Sequence, residues 1–320
     1  MPTVSVIIPT WNARRRLELC LDLLEKQTRT VDQIVVVANG CRDDTVSFVE
    51  RHFPHASLTS LPENRGTAGG TNAGIPLATM DYIVTLNDDA HPRPTWLEAL
   101  VEALERWHLF SFAASRLLMA DGSGRIDSAG DGFDPRLGGT MLGQGQPDGP
   151  AFAECCEVFS ASGAAAIYER DIFRTVGLFD ESLFMYGDDI DLGFRARLSG
   201  HRCLYVPDAI AYHERSVAWG HNSPAQIRMI YRNGITVYVK NMPWELVRPI
   251  MTEVVRSWLA AIYHAPHRGA ALRGVTEALV RLPQTLRKRR AIQQSRRVDL
   301  QQLKRILCED RIPLPSVERP

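Results

Sequence analysis

Short β-branched runs alternate with amphipathic stretches over the first third of the chain. Strands are predicted at 4–8, 33–37, 57–61 and 82–86, and the first of them is predicted to be a buried parallel strand. Between two of them, Leu17, Leu21 and Leu24 recur at helical spacing. Helices are expected at about 14–27, 43–51, 72–79 and 94–107. This alternation predicts an α/β fold with a doubly wound, mainly parallel sheet.

The rest of the chain is less regular. Residues 121–150 are rich in Gly, Asp and Pro, which predicts a long loop, and loops of that length are usually functional or mobile. Apolar spacing predicts helices over 224–242 and from 244 onward. We therefore expect an α/β domain at 1–220 and a helical, basic C-terminal region at 221–320.

Composition narrows the class of protein. With 320 residues, 45% apolar and 23% charged, the chain has the composition of a globular protein. Lys and Arg number 37, as do Asp and Glu, which argues against a generally basic nucleic-acid-binding protein. Six cysteines without a C-x-x-C pair argue against a zinc site and a disulfide scaffold. No signal-like segment and no apolar stretch of about 20 residues is found, so a cytoplasmic location is expected.

The charge is unevenly distributed along the chain. From residue 241 onward there are 15 Lys and Arg against 7 Asp and Glu, and before it 22 against 30. A basic run at 286–290 follows an apolar band at 254–263, a combination that suits a helix lying on anionic lipid. Attachment to the inner face of the cell membrane, packing within the chain and formation of a homo-oligomer all stay open for this region.

Polar residues follow three of the predicted strands. The segments are Pro9-Thr10-Trp11-Asn12, Asn39-Gly40-Cys41 and Asn87-Asp88-Asp89. In doubly wound sheets, ligands sit beyond the carboxyl ends of the strands. The three polar loops are therefore expected to converge on one crevice.

Two acidic clusters about a hundred residues apart carry most of the chemistry. They are Asn87-Asp88-Asp89 and Asp188-Asp189-Ile190-Asp191. Carboxylates at the end of a buried strand are costly to desolvate, and a divalent cation that also binds phosphate is the common remedy. A separate carboxylate can then take a proton from an incoming hydroxyl. The two clusters predict a metal-dependent transferase that acts on a diphosphate-activated substrate.

Each of these features also has an ordinary structural explanation. The first cluster could cap the helix that follows it, and the second could be a solvated helix start. A lone histidine such as His213 is more often a surface or core residue than a ligand. The glycine-rich segment 64–74 is predicted to be a turn before a helix, where backbone N–H groups could contact an anion, or an ordinary turn without a ligand.

Taken together and in this order, the segments resemble glycosyltransferase family 2, the inverting enzymes with a GT-A fold. The resemblance covers about residues 3–215, and bacterial rhamnosyltransferase-like enzymes of cell-surface polysaccharide or glycolipid assembly are the subgroup that the chain resembles. It rests on the segments 4–12, 64–74, 86–89 and, most of all, 177–195.

The resemblance implies a GT-A sheet with a helical C-terminal extension, in which a sugar moves from a nucleoside-diphosphate sugar to a glycan or lipid-linked acceptor. It implies that Asp189 is the catalytic base, that Asp188 helps to position the acceptor, and that Asp89 and His213 hold Mg²⁺ or Mn²⁺. It implies donor contacts for Pro9, Thr10, Asn12, Asn39, Asp43, Asn64, Gly70, Asn72, Asn87 and Asp88.

Two positions depart from the family pattern. Ala38 stands where members often carry an aspartate that contacts the nucleotide base, and Asn87 replaces the first aspartate of the D-x-D motif. The second change removes one formal charge from the metal site, although an amide oxygen can still be a ligand. A nucleotidyltransferase and a catalytically inactive, membrane-associated scaffold of the same fold are the alternative functions.

Overall fold

A computed structural model describes residues 2–215, 220 and 222–314. In chain order, the strands are β1 (Val4–Thr10), β2 (Gln33–Asn39), β3 (Ser57–Leu61), β4 (Tyr82–Leu86), β5 (Ala90–Pro92), β6 (Phe112–Met119), β7 (Ile126–Ser128), β8 (Asp131–Asp134), β9 (Gly138–Met141), β10 (Cys156–Val158), β11 (Ala165–Glu169), β12 (Cys203–His213) and β13 (Ile312–Pro313).

The α-helices alternate with these strands and then dominate the C-terminal third. They are α1 (Arg14–Glu25), α2 (Thr45–His52), α3 (Gly66–Gly74), α4 (Trp96–Arg106), α5 (Ile172–Val176), α6 (Asp188–Leu198), α7 (Pro224–Asn241), α8 (Trp244–Val247), α9 (Met251–His264), α10 (Arg268–Val280), α11 (Leu282–Gln294) and α12 (Leu300–Cys308). Short 3₁₀ helices lie at Ile75–Leu77, Pro150–Phe152 and Arg248–Ile250.

One large sheet organises the described chain. Its strand order is β13-β10-β12-β6-β11-β4-β1-β2-β3, with β5 paired to β12 and β7 paired to β6. On that path β10 and β11 run opposite to the other strands. The prediction of a mainly parallel α/β sheet is therefore confirmed.

Helices cover both faces of this sheet. Val6 and Ile8 of β1 pack in the cluster that includes α1, α2 and α4, whereas Ile7 packs in the cluster that includes α3, α5 and α6. All three side chains are completely buried. Because side chains alternate across a strand, this continuous apolar run can fill the core on both faces, which is what a doubly wound sheet needs.

The helix predicted over 72–79 is confirmed in part, because residues 72–77 are helical, but its start was predicted too late. The glycine-rich segment is itself helical, and α3 spans Gly66–Gly74. A Cβ atom on Gly74 would lie 2.4 Å from Ile7 Cγ2, and one on Gly70 would lie 2.8 Å from Pro9 Cβ. Glycine is therefore required here for close packing of a helix on β1, and the composition typical of a turn was misleading.

The long loop predicted over 121–150 was also wrong in part. It contains β7, β8 and β9, and the last two form a separate two-stranded sheet. These strands are only three or four residues long. They contain too few residues for an alternating pattern to emerge from the glycine-rich background.

The C-terminal helices pack directly on the α/β part and share an apolar cluster with it. A third apolar cluster joins Phe194 of α6 and Val237 of α7 to Val254 of α9 and Leu303 of α12. None of the helices among the described residues is long and apolar enough to cross a bilayer. The boundary at residue 220 stays a prediction.

Candidate active site

A cleft of about 820 Å³ opens at the carboxyl ends of β1, β2 and β4. It is lined by ten of the residues predicted to form a site: Pro9, Thr10, Asn39, Asn64, Asn87, Asp88, Asp89, Asp188, Asp189 and His213. Two acidic clusters that are about a hundred residues apart in sequence therefore face the same space.

The loop 162–164 brings the two clusters together. It precedes β11, which pairs antiparallel with β4 so that Ala165 lies opposite Leu86. The Asn87 N–H donates to the Ala164 carbonyl at 2.9 Å, and the Gly163 N–H donates to Asp189 Oδ2 at 3.1 Å. One short loop is thus hydrogen-bonded to both clusters. Sequence reasoning missed it, because its small residues carry no chemistry of their own.

Asp188 and Asp189 are the first two residues of α6. Asp189 Oδ1 also accepts a hydrogen bond from the Ile190 N–H at 2.8 Å. Burial raises the pKa of Asp189, although its hydrogen bonds from backbone N–H groups oppose the change. Burial and the neighbouring charge of Asp189 raise the pKa of Asp188 well above its usual value. Two adjacent acids with raised pKa values are typical of a site that exchanges protons.

Asp191 belongs to the same cluster but has a different role. It is completely buried, and its carboxylate lies 2.6 Å from Lys240 Nζ and 3.0 Å from Arg195 Nε. Burial favours the protonated acid, but Lys240 and Arg195 outweigh it and lower the Asp191 pKa. Asp191 is therefore an ionised structural anchor beneath the cleft.

Asp88 is held against β1. The Thr10 hydroxyl donates to Asp88 Oδ2 at 2.6 Å. Burial nevertheless raises the pKa of Asp88 to about 7, and the negative charge of Asp89 acts in the same direction. The first cluster therefore contains one acid, Asp88, that is protonated more readily than a free aspartate, and a second acid, Asp89, that is ionised.

Asp89 forms a chain of charged groups with His213 and Asp127. β5 and β12 pair so that Ala90 lies opposite His213, which places the imidazole beside Asp89. His213 Nδ1 lies 2.7 Å from Asp127 Oδ2, and His213 Nε2 lies 3.4 Å from Asp89 Oδ1. Burial opposes the ionisation of Asp89 and of His213. Their mutual attraction outweighs burial and lowers the Asp89 pKa. The same attraction, together with the charge of Asp127, raises the His213 pKa to about 9.

These residues fit a divalent cation. Asp89 Oδ1 is buried and accepts no hydrogen bond from the described residues. A histidine whose other ring nitrogen bonds a carboxylate, as His213 does with Asp127, is the usual form of a histidine metal ligand. Within the described residues no three His, Cys, Asp or Glu side chains lie close enough together to hold a metal. A cation at Asp89 and His213 would therefore need further ligands from a bound anion.

Arg16 is a cation on the cleft wall that sequence reasoning missed. It lies on α1 near Asp88 and Asp89, where its charge opposes the burial that raises the Asp88 pKa and helps to lower the Asp89 pKa. Its Nε atom is buried and donates no hydrogen bond to the described residues. The arginine had no distinguishing sequence signal, because it stands in the run Arg14-Arg15-Arg16.

Asp131 is a second cleft residue that was missed. It is 2% exposed, and the Ser128 hydroxyl lies 3.1 Å from its Oδ1 atom. Burial and the charge of Asp189 raise its pKa well above the usual value. The expectation that residues 121–150 are functional pointed to this segment, but nothing in the sequence distinguished Asp131 from the other aspartates there.

Four predicted donor-binding residues lie outside the cleft lining. The Asn12 side chain accepts a hydrogen bond from the Arg42 N–H at 2.7 Å, and Asp43 Oδ1 accepts from the Thr45 hydroxyl at 2.6 Å. Both bonds shape loops at the ends of β1 and β2. Gly70 is buried where α3 packs on β1.

Asn72 is the fourth of these residues. Its amide nitrogen donates to the Phe179 carbonyl at 2.9 Å, and its oxygen accepts from the Phe179 N–H at 2.9 Å. The Asn39 amide is similarly bound to the Gly66 carbonyl and the Arg65 N–H, both at 2.9 Å, although Asn39 does line the cleft. These side chains fix α3 and the segment before α6, so their hydrogen-bonding groups are already used within the protein.

Comparison with known proteins agrees with this geometry. A model of the family described as Glycosyl transferase family 2 matches residues 5–177. The N-acetylglucosaminyl-diphospho-decaprenol L-rhamnosyltransferase of Mycobacterium tuberculosis is 26% identical over 251 residues, which cover 71% of this chain and 80% of that protein. The pre-mycofactocin glycosyltransferase of the same organism is 28% identical over 217 residues, which cover 66% of this chain and 42% of that protein.

Solved structures show the same fold. The mannosyltransferase PcManGT from Pyrobaculum calidifontis, in complex with GDP-Man and Mn²⁺, has a TM-score of 0.55 at 20% identity, over 92% of this chain and 84% of that chain. Residues 1–349 of S. aureus TarS in complex with UDP have a TM-score of 0.57 at 17% identity, over 91% of this chain and 88% of that chain. These likenesses confirm the predicted GT-A-type architecture.

The contrast between neighbouring aspartates predicts opposite effects of amide substitution on stability. At pH 7, Asp191→Asn should lower the free energy of unfolding by about 3 kcal/mol, because it leaves buried Arg195 without a counter-charge and removes one of the two carboxylates that pair with Lys240. Asp188→Asn should raise the free energy of unfolding, because it removes a buried charge next to Asp189. Urea unfolding measures both, with the exposed Asp208→Asn as the control.

The pH dependence should also differ in sign. The lowered Asp191 pKa stabilises the fold above about pH 4, the unfolded value, and this contribution is lost as the pH falls, so the Asp191→Asn deficit should shrink in acid. Because the Asp188 pKa is raised in the folded protein, Asp188 lowers the stability of the fold as the pH rises above about 4, the unfolded value. The increase in the free energy of unfolding caused by Asp188→Asn should therefore grow with pH. Equal effects of the two substitutions at pH 7 would contradict the assignment.

Proposed function

This chain belongs to glycosyltransferase family 2, and we propose that it transfers a sugar from a nucleoside-diphosphate sugar to an acceptor hydroxyl with inversion at the anomeric carbon. The single observation that carries this proposal is that Asp89 and Asp189 line one cleft, linked through the loop 162–164. The family membership does not favour a nucleotidyltransferase or an inactive scaffold.

Asp189 is the proposed general base. It takes the proton of the acceptor hydroxyl while the oxygen forms a bond to the anomeric carbon. On the opposite side of that carbon, the bond to the diphosphate oxygen breaks and the nucleoside diphosphate leaves. A raised pKa supports this role, because a stronger base accepts the proton more readily near neutral pH. Asp188 lies beside it and is proposed to position the acceptor.

The donor diphosphate is proposed to lie on the Asp89 side of the cleft. Asp89 and His213 would hold Mg²⁺ or Mn²⁺, which when bound neutralises charge on the leaving diphosphate. Arg16 would supply a second positive charge beside the diphosphate, and so share in its neutralisation where Asn87 in place of aspartate leaves the metal site with one negative charge fewer. The cleft-lining residues Pro9, Thr10, Asn39, Asn64, Asn87 and Asp88 are proposed to surround the nucleotide and the sugar.

The acceptor is proposed to be a glycan or lipid-linked sugar of cell-surface polysaccharide or glycolipid assembly. The M. tuberculosis relative is named for the transfer of L-rhamnose to N-acetylglucosaminyl-diphospho-decaprenol. A nucleoside-diphospho-L-rhamnose with an N-acetylglucosaminyl-diphospho-lipid is therefore the first pair to assay. Release of nucleoside diphosphate from a panel of sugar donors in Mn²⁺ identifies the donor without knowledge of the acceptor.

We also propose that the C-terminal helices contact an anionic lipid surface at the inner face of the membrane. Met251, Val255, Leu259 and Tyr263 form an exposed stripe at i,i+4 spacing on α9, beside an apolar groove of about 340 Å³. Residues 244–294 carry nine Lys and Arg against three Glu. Apolar side chains surrounded by positive charge match a negatively charged bilayer interface better than an apolar partner protein.

Substitution of the proposed base tests the mechanism. Asp189→Asn should lower kcat by about 10²–10⁴-fold with the affinity for donor unchanged, because it removes proton transfer and leaves the Asp89 side intact. In the wild type, kcat should fall as the pH drops through the raised Asp189 pKa, since only the ionised acid accepts a proton. Asp208→Asn, on an exposed position of β12, is the control. Normal turnover by Asp189→Asn would mean that another group is the base.

The donor side can be tested by calorimetry with UDP and GDP, each with and without Mn²⁺. Asp89→Asn should abolish the increase in affinity that Mn²⁺ gives, and retain the metal-free affinity. Arg16→Met should weaken binding about ten- to hundredfold under both conditions, the usual cost of a lost hydrogen bond between charged groups. Arg15→Met, an exposed neighbour on α1, should have no effect. An unchanged Mn²⁺ effect in Asp89→Asn would remove Asp89 from the metal site.

Vesicle sedimentation tests the lipid surface. Leu259→Glu should weaken binding to phosphatidylglycerol vesicles at least tenfold, whereas Leu109→Glu should not, although these leucines are 62% and 67% exposed. Phosphatidylcholine vesicles and high salt should both reduce binding by the wild type. A chain that forms dimers in light scattering, loses them in Leu259→Glu and binds neither kind of vesicle would identify this face as a homo-oligomer interface instead.

A further inference from the structure

Four polar side chains of α7 are buried against the segment that carries the proposed base. Arg232, Asn233, Lys240 and Asn241 are 7%, 1%, 1% and 0% exposed, and together they are called the α7 seam. Lysine and arginine are seldom buried without partners, because desolvation of a charge is costly. The seam therefore has specific partners, and most of those outside α7 lie within residues 180–191; Arg232 also lies 3.9 Å from Glu277.

The first half of the seam binds the backbone just before α6. The Asn233 amide nitrogen lies 2.9, 2.7 and 2.8 Å from the carbonyl oxygens of Leu183, Met185 and Tyr186. Arg232 Nη2 donates to the Leu183 carbonyl at 2.8 Å, and Arg232 Nε donates to Asn233 Oδ1 at 2.8 Å. The guanidinium thus fixes the orientation of the amide, and the amide nitrogen bridges three carbonyl groups within four residues of the backbone.

The backbone that Asn233 binds has an unfavourable conformation. Phe184 and Tyr186 have φ angles of 70° and 65°, and Gly187 has one of 88°. The left-handed region is unfavourable for a residue with a side chain, and such residues persist only where the surroundings impose them. The Asn233 hydrogen bonds are part of what imposes this conformation. Asp188 and Asp189 follow directly, so their direction depends on it.

The second half of the seam fixes both ends of the same segment. Lys240 Nζ lies 2.5 Å from Asp180 Oδ2 and 2.6 Å from Asp191 Oδ1. The Asn241 amide donates to Asp191 Oδ1 at 2.8 Å. One ammonium group therefore joins a carboxylate before the strained backbone to a carboxylate after the proposed base. The segment is held at its start, its middle and its end by one helix.

We propose that the α7 seam is a positioning device for Asp189, with Asn233 as its central residue. The seam holds residues 183–187 in the conformation that directs the Asp189 carboxylate into the cleft, towards the Gly163 N–H. Asn233 itself touches no reacting atom. The inference rests on the proposed role of Asp189, and it makes α7 a functional part of the catalytic unit although it lies beyond the predicted boundary at residue 220.

The test compares two variants of buried polar residues on α7. Asn233→Ala should lower kcat for nucleoside diphosphate release about ten- to hundredfold, since a misplacement of about 1 Å can have an effect of that size. The affinity for UDP or GDP with Mn²⁺ should stay within twofold. Thr236→Ala is the matched control, because the Thr236 hydroxyl is also buried but donates only to the Arg232 carbonyl on the same helix. It should leave kcat unchanged even where it lowers the melting temperature.

A double-mutant cycle separates positioning from general loosening of the fold. In an Asp189→Asn background, Asn233→Ala should cause no further loss of kcat, because the group that it positions has been removed. An Asn233→Ala protein with normal kcat, or one whose loss is fully additive with Asp189→Asn, would overturn the inference. If Asn233→Ala does not fold, Arg232→Lys is the milder variant for the same cycle, with the same two outcomes.

The two proposals fail in different ways. If Asp189→Asn keeps normal turnover, the assignment of the base fails, whatever Asn233→Ala does. If Asp189→Asn is inactive and Asn233→Ala turns over as fast as Thr236→Ala, only the positioning role fails.

Discussion

The structure depends on how it accommodates negative charge buried at one edge of its sheet. Asp88, Asp89, Asp188 and Asp189 line one cleft, and Asp191 lies beneath it. Each carboxylate that leaves water must be paired, bound to a cation or protonated, because an isolated buried charge is too costly. The fold pairs some of these aspartates with cationic side chains and raises the pKa of others, and the outcome differs from one aspartate to the next.

The paired aspartates support the fold, and the unpaired ones are available for chemistry. Asp180 and Asp191 have Lys240 as a common partner, and their pKa values are lowered. Asp188 and Asp189 have no cation within salt-bridge distance among the described residues, and their pKa values are raised. The folding free energy supplied by the paired residues can hold the unpaired ones in a state that would otherwise be unfavourable. This division explains how the start of α6 can hold both an ionised structural anchor, Asp191, and the proposed base, Asp189.

Much of the parallel part of the sheet could be predicted from the sequence. β3 and β4 were predicted with their observed bounds, and the starts of β1 and β2 were correct. In β1, β2 and β4 this is because β-branched runs between polar turns have few other interpretations. The first part of α3 was taken for a turn, because its glycines are required for close contact with β1, and such a tertiary contact is not visible in the local sequence.

Residues of the site could be predicted only where they belong to a motif of adjacent residues in the sequence. The acidic clusters follow a strand or begin a helix, so they could be recognised from neighbouring residues. Asp127, Asp131 and Arg16 reach the cleft or its border through strand pairing and helix packing, which single residues in a sequence do not reveal. The α7 seam was missed for the same reason. Its partners lie about fifty residues earlier in the chain.

The central claim is that a base and a leaving diphosphate lie on opposite sides of one sugar carbon. The anomeric configuration of the transferred sugar tests it most directly, by proton NMR of the product formed before it can equilibrate. The account predicts a configuration opposite to that of the donor, as a single displacement requires. A product with the configuration of the donor would contradict the account, because it would require two displacements or attack from the same face.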